Sequence, residues 1–139
     1  MSAIKRIFDP GSDGVTRDVG IFVLRLGLGI TMATHGLSKL QAFGENASGF
    51  PDPIGVGPQA SMALAIFAEL VCSILVALGA STRVAALPVA FTMLVAFFVI
   101  HAGDPFGERE LAWTYLVGFV AILLTGPGKI SIDGAIRAR

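Results

Sequence analysis

Arg25, His35, Lys39, Glu69, His101 and Glu110 are the residues of this chain whose types can do chemistry in apolar surroundings. A guanidinium holds negative charge, an imidazole passes protons near neutral pH, and a carboxylate accepts hydrogen bonds or a proton. Their setting makes them candidates. They stand within or at the ends of apolar stretches that carry little other charge, where an ionised group is costly unless it faces a partner or a wet cavity. Arg25, Gly29, Met32, Gly36 and Lys39 recur in steps of three and four, which is one face of a helix, with His35 beside it. The glycines on that face allow close approach of a second helix. Ser61, Ala65, Ala68, Cys72 and Val76 form a small-residue stripe, and Glu69 falls within about 60° of it at helical spacing.

Counted from the apparent inner ends of their helices, Arg25 and Glu69 differ by roughly 6 Å in depth. The expectation is an Arg25–Glu69 pair at the narrow base of a polar funnel. His35 would lie about 8 Å further out, and Lys39, His101 and Glu110 would stand at the outer rim. Each residue has two readings. The pair either locks two helices or serves a site. His35 either packs or meets a ligand, and Lys39 either snorkels or binds. Glu110 doubles as a first-turn acid, on a face it shares with Thr114, Val117, Ala121 and Thr125. His101 lies about half a turn round from Thr92 and joins the group only through its place at a helix end.

The elements that must position these residues are four apolar stretches, at about 19–41, 58–79, 83–102 and 110–125. Each is long enough to cross a hydrocarbon core of about 30 Å as a helix. Polar tails at 1–17 and 126–139 complete a single membrane domain over 1–139. The fold class is all-α, an integral membrane four-helix bundle. Hydrophobic residues make up 54% of the chain and charged ones 14%, too little charge for a soluble surface. The first apolar run carries Arg25 and lacks a small-residue cleavage site, so it reads as a retained helix. Thr16 and Asp18 are candidate caps for it. Ile4, Ile7 and Phe8 read as a surface-lying or frayed lead. The Gly- and Pro-rich segment 42–57 is a candidate lid, with Phe43 and Phe50 anchoring it to the bilayer surface. Pro88 predicts a kink, and Gly126-Pro127-Gly128 predicts the end of the fourth helix.

The tails and the second loop hold Lys5, Arg6, Arg17, Arg83, Lys129, Arg137 and Arg139, against Lys39 and Arg109 on the other side. That asymmetry puts both termini in the cytoplasm. Zero net charge without a basic, aromatic-interleaved patch points away from nucleic acid. The lone Cys72 excludes an internal dithiol centre. Two histidines and scattered carboxylates do not match metal-ligand spacing, and no phosphate loop or nucleophile elbow is present.

Leu24-Arg25-Leu26, His35-Gly36 with Lys39, Glu69, Ser81-Thr82-Arg83, His101, Glu110, and Gly126-Pro127-Gly128 with Ser131 and Asp133 occur in that order. In this order and spacing the chain resembles the DoxX family of small bacterial membrane proteins, from about Phe22 to Asp133. The resemblance implies a four-helix, multi-pass protein of the bacterial inner membrane. It also implies links to sulfur, thiol and quinone redox, notably as a subunit of a thiosulfate:quinone oxidoreductase.

The resulting expectation is a subunit of a membrane redox complex, with no intrinsic cofactor and a quinone as the group that would visit its polar site. If the protein is an enzyme, it is an oxidoreductase subunit of the quinone-linked type. His35 and Glu69 are the candidate catalytic residues. Arg25, Lys39, His101, Glu110 and Trp113 are the candidate binding residues, and Trp113 and Tyr115 fit an interfacial aromatic belt. Its partners would be the lipid bilayer, a redox partner protein and further copies of the chain. The alternatives are a non-catalytic scaffold or assembly partner, or a small-molecule carrier.

Overall fold

A computed structural model describes residues 3–7 and 14–139. Phe8 of the expected lead therefore lies outside the described residues, as do the side chains of Arg6 and Ile7. All the regular structure among the described residues is helical. After α1 (Ala3–Ile7) comes the long α2 (Gly14–Gln41), then the short α3 (Phe43–Asn46) and a 3-10 turn at Ala47–Gly49. Helices α4 (Pro58–Leu78) and α5 (Thr82–Ile100) follow. They lead into α6 (Phe106–Thr125) and a final short α7 (Ile132–Arg137).

Helices α2, α4 and α5 are long and apolar enough to cross a membrane. α6 has 20 residues and packs along α5 and α2, but it carries Glu108, Arg109 and Glu110 near its start. Many large apolar side chains face outward on these helices, among them Val23, Leu64, Phe91 and Leu111. Outward-facing apolar surface of this extent fits lipid, not water, as the solvent. The inward face holds a main core, in which Met32, Val76, Ala86, Val89, Phe119 and Ile122 are almost wholly buried, and a smaller cluster of Ala47, Met62 and Ile66.

Small residues set how closely the helices approach. A β-carbon on Gly29 would stand 2.7 Å from the Ser73 carbonyl oxygen, and one on Gly36 would stand 2.7 Å from the Glu69 carbonyl carbon. Glycine is what lets α2 lie directly on the backbone of α4. These contacts also fix the register of the two helices. Gly36 is level with Glu69, Gly29 with Ser73 to Ala77, and Arg25 with Gly79.

Helix α2 begins at Gly14, five residues before the expected start at Val19. Thr16 and Asp18 thus sit inside the helix. Asp18 is buried, and its carboxylate accepts from the Lys129 backbone N–H. The fourth long helix starts at Phe106, not Glu110, so its first-turn acid is Glu108. The face that carries Glu110 is turned outward. Glu110, Thr114, Val117 and Thr125 are exposed, and Tyr115, Leu116, Phe119 and Ile122 are buried. Each of α4 and α5 contains a π-helical stretch, at Phe67–Cys72 and Ala96–Ile100. Such stretches are uncommon and often mark sites. α5 continues through Pro88, whose carbonyl accepts from the Thr92 hydroxyl.

The chain after α6 turns back across the end of the bundle. α6 stops at Thr125, and Gly126 and Gly128 both take positive φ, which an L side chain disfavours. Asp133 then accepts from the Ser81 and Thr82 backbone N–H groups and from the Thr82 hydroxyl, at 2.8–2.9 Å. Its own N–H donates to the Gly79 carbonyl. A carboxylate from fifty residues away thus caps the start of α5.

Candidate functional site

The α4 residue Glu69 is 3% exposed in the middle of a π-helical stretch. Its Oε1 accepts from Lys39 Nζ at 2.7 Å. Lys39 stands one turn beyond Gly36 on α2, and the closeness of α2 to α4 at Gly36 brings the ammonium to the carboxylate. A buried carboxylate needs such a partner, because an isolated charge there would cost several kcal/mol. His35 lies beside Gly36 and meets Tyr115 of α6 edge-on, with ring centroids 5.7 Å apart. Tyr115 is 4% exposed. Four polar side chains from α2, α4 and α6 therefore gather at one level of an apolar bundle.

A cavity of about 570 Å³ opens beside this cluster, between α4 and α5. Lys39 and Glu69 stand at its polar edge, and Leu64, Phe67, Phe91 and Ile100 form apolar walls. Pro88 and Thr92 line it where α5 lacks a backbone N–H. Phe50, Pro51, Pro53 and Ile54 close one side. The expected lid segment is therefore a wall of the cavity. Phe43 and Phe50, expected as bilayer anchors, are half-buried. They pack with the buried Ala47, Met62 and Ile66. Asp52 organises the segment by accepting from the Val56 and Gly57 N–H groups and the Ser61 hydroxyl. The Ser61 hydrogen bond, aided by the two amides, holds the Asp52 carboxyl below the usual carboxylate range.

The expected candidates separate into three groups. Lys39, Glu69 and His101 line the cavity, and His35 stands behind Glu69. His101 is at the mouth, about 40% exposed, with Nδ1 2.7 Å from Asp104 Oδ2. Glu110 is exposed and does not line the cavity, and Trp113 packs on Phe97 at 5.3 Å. Arg25 forms a separate centre. Its side chain is 1% exposed and donates from Nη2 to the Ile130 carbonyl at 2.5 Å. The Phe22 ring lies 5.7 Å from its guanidinium carbon.

The expected Arg25–Glu69 pair is thus absent, and the single funnel resolves into two polar centres. Arg25 and Glu69 come to similar depths only if α2 and α4 end flush. The glycine contacts place Arg25 level with Gly79, the end of α4, so α2 overhangs its neighbour by a long segment. Arg25 lies eleven residues from Gly36, about 16 Å along the helix from the level of Glu69. No arginine side chain spans that.

Three further side chains stand outside the expected set. Tyr115, expected in an interfacial belt, is buried instead. Its i, i+1, i+4, i+7 pattern with Leu116, Phe119 and Ile122 was the available signal. Arg109 lies over the Phe97 ring at 4.4 Å and donates to the Phe97 carbonyl. Asp52 was hidden within a loop whose turn-rich composition gives no side-chain register.

The DoxX family model matches residues 20–102, which include Arg25, His35, Lys39, Glu69 and His101. A Bacillus subtilis (strain 168) protein named "Putative oxidoreductase CatD" is 30% identical over 117 residues, covering 84% of this chain and 86% of its own. "Inner membrane protein YqjF" of Escherichia coli (strain K12) is 32% identical over 127 residues, covering 88% and 95%. An uncharacterised membrane protein of Mycobacterium tuberculosis is 29% identical over 142 residues, covering 86% and 82%. No solved structure matches the chain.

Proposed function

This chain belongs to the DoxX family, and as a multi-pass protein of the bacterial inner membrane we propose that it is a subunit of a redox complex whose α4–α5 cavity receives a quinone. The observation that carries this reading is the Lys39–Glu69 ion pair at the edge of a mostly apolar cavity of about 570 Å³. Ligand sites of this size are mostly apolar, with a few polar groups that fix orientation. A quinone has a flat apolar ring and carbonyl oxygens, so it needs apolar walls and at least one donor. The walls are Phe67, Phe91 and Ile100, and Lys39 is a donor with three N–H bonds.

A bound quinone would accept two electrons and two protons. In this reading a partner protein of the complex supplies the electrons. Lys39 would turn from Glu69 toward a carbonyl oxygen. Glu69 and His35 would hold or pass protons, with Tyr115 fixing the imidazole edge-on. The name of the Bacillus subtilis relative contains the word oxidoreductase, in keeping with this assignment. In the bilayer, α2, α4, α5 and α6 would all cross, with both termini in the cytoplasm, following the lysine and arginine asymmetry.

A non-catalytic scaffold is the second reading. It is favoured by the fact that Lys39–Glu69 also ties α2 to α4, as a purely structural pair would. Purification in mild detergent, followed by mass analysis of co-purifying quinone and protein, tests the proposal. Stoichiometric quinone in the wild type, lost in Glu69→Gln, supports it. Protein partners without quinone favour the scaffold.

A further inference from the structure

A second cavity, of about 1170 Å³, lies at the other end of the bundle, where the chain after α6 crosses α2 and α5. Arg17, Arg83, Lys129 and Arg137 line it, together with Asp18 and Asp133. Both carboxylates already accept hydrogen bonds within the fold. Asp18 takes the Lys129 N–H, and Asp133 takes the Ser81 and Thr82 N–H groups. Four cations against two engaged carboxylates leave a positive cleft. The surroundings are apolar and outward-facing: Val84 is 71% exposed, Leu124 75% and Ile136 64%. Arg83 and Leu124 are in contact, the guanidinium donating to the Leu124 carbonyl. Cations that stand directly beside exposed apolar residues at the end of a membrane helix lie at the height of lipid phosphates.

We propose that this cleft binds the phosphate of an anionic phospholipid, with the headgroup among Arg17, Lys129 and Arg137 and the acyl chains along Val84 and Leu124. A phosphodiester offers acceptor oxygens that match arginine and lysine donors. The apolar rim selects a ligand with chains over a free anion. The site is independent of the cavity at Glu69, and nothing in its assignment rests on quinone binding.

Full-length protein in detergent can be titrated with phosphatidylglycerol, phosphatidylcholine or inorganic phosphate, with bound ligand read by native mass spectrometry. Phosphatidylglycerol should bind saturably, phosphatidylcholine much more weakly, and inorganic phosphate not at all at millimolar levels. The double variant Arg17→Gln/Arg137→Gln removes two cations. It should weaken phosphatidylglycerol binding roughly thirtyfold, from about fivefold for each cation beside an anionic surface. Arg139→Gln removes a charge from the same end but not from the cleft, and should bind as the wild type does. An unchanged melting temperature without lipid shows that the double variant remains folded. A less stable double variant is replaced by Arg137→Gln alone, for which about fivefold is expected. Equal binding of the two lipids, or equal weakening in Arg139→Gln, would overturn the proposal. Saturable binding of inorganic phosphate to the same arginines would overturn the lipid assignment in favour of a free-anion site.

Discussion

Glu69 and Arg25 are both almost fully buried, yet they are stabilised by different means. Glu69 has an ion-pair partner in Lys39, whereas Arg25 donates to a backbone carbonyl of the segment after α6 and has the Asp133 carboxylate nearby without a direct salt bridge. A double-mutant cycle separates these arrangements. Lys39→Gln and Glu69→Gln should couple by on the order of 1 kcal/mol, because each single change leaves the other group unpaired. Arg25→Gln and Glu69→Gln should be additive, since the two residues are about 16 Å apart along the bundle. Thermal or denaturant unfolding in detergent reads both. Cys72 lies in the core with Val76 and Met32, so Cys72→Ala should keep the fold and any activity. At this scale the sequence showed which residues point inward: the buried set Arg25, Gly29, Met32 and Gly36 follows directly from helical spacing. The partner of Arg25 was not legible, because spacing gives a face but not the level at which a neighbouring helix ends.

The positions of the helices explain why. Gly29 and Gly36 are points of close approach, and they also set the register of α2 against α4. Gly36→Ala would drive a methyl group into the backbone at Glu69 and Leu70, which cannot swing away. It should destabilise by about 1–3 kcal/mol, the usual scale of overpacking, and it should loosen the Lys39–Glu69 pair. The segment after α6 was legible as a helix stop and a polar tail, but not as a strap. Its anchor is Asp133, which reaches Ser81 and Thr82 across fifty residues, and no local pattern encodes that reach. Burial pushes the Asp133 carboxyl up. The hydrogen bonds from Thr82 and Ser81 and the Arg25 charge outweigh this and hold it below its ordinary value. A carboxyl depressed in the folded state stabilises above its unfolded pKa of about 3.9, and that stabilisation is lost as pH falls through the folded value. Wild type should therefore lose strap stability below about pH 4. Asp133→Ala should be less stable by about 0.5–2 kcal/mol at neutral pH, as for loss of a helix cap, with a flatter acid limb in its melting temperature profile.

For the molecule as a whole, length and hydropathy made the membrane class plain, and α2, α4 and α5 match the first three apolar stretches closely. The ends moved because polar residues such as Asp18 and Glu108 find partners or dipoles that a hydropathy pattern does not count. Four crossings with both termini inside require the tail and the loop after α3 to face opposite compartments. Reporter fusions at Arg139 and within residues 49–57 should report opposite sides of the membrane. The same side for both would remove α6 or another helix from the set of crossings. The central claim is that the α4–α5 cavity, with Lys39 and Glu69 at its edge, receives a quinone. Labelling of the detergent-solubilised protein by a photoreactive quinone, with adducts mapped by mass spectrometry, tests it most directly. Adducts should concentrate on Phe67, Phe91 and Ile100, be displaced by unlabelled quinone, and fall at least several-fold in Lys39→Gln and Glu69→Gln. Adducts spread over the outward faces of α2 and α6, undiminished by competitor and unchanged in both variants, would contradict it.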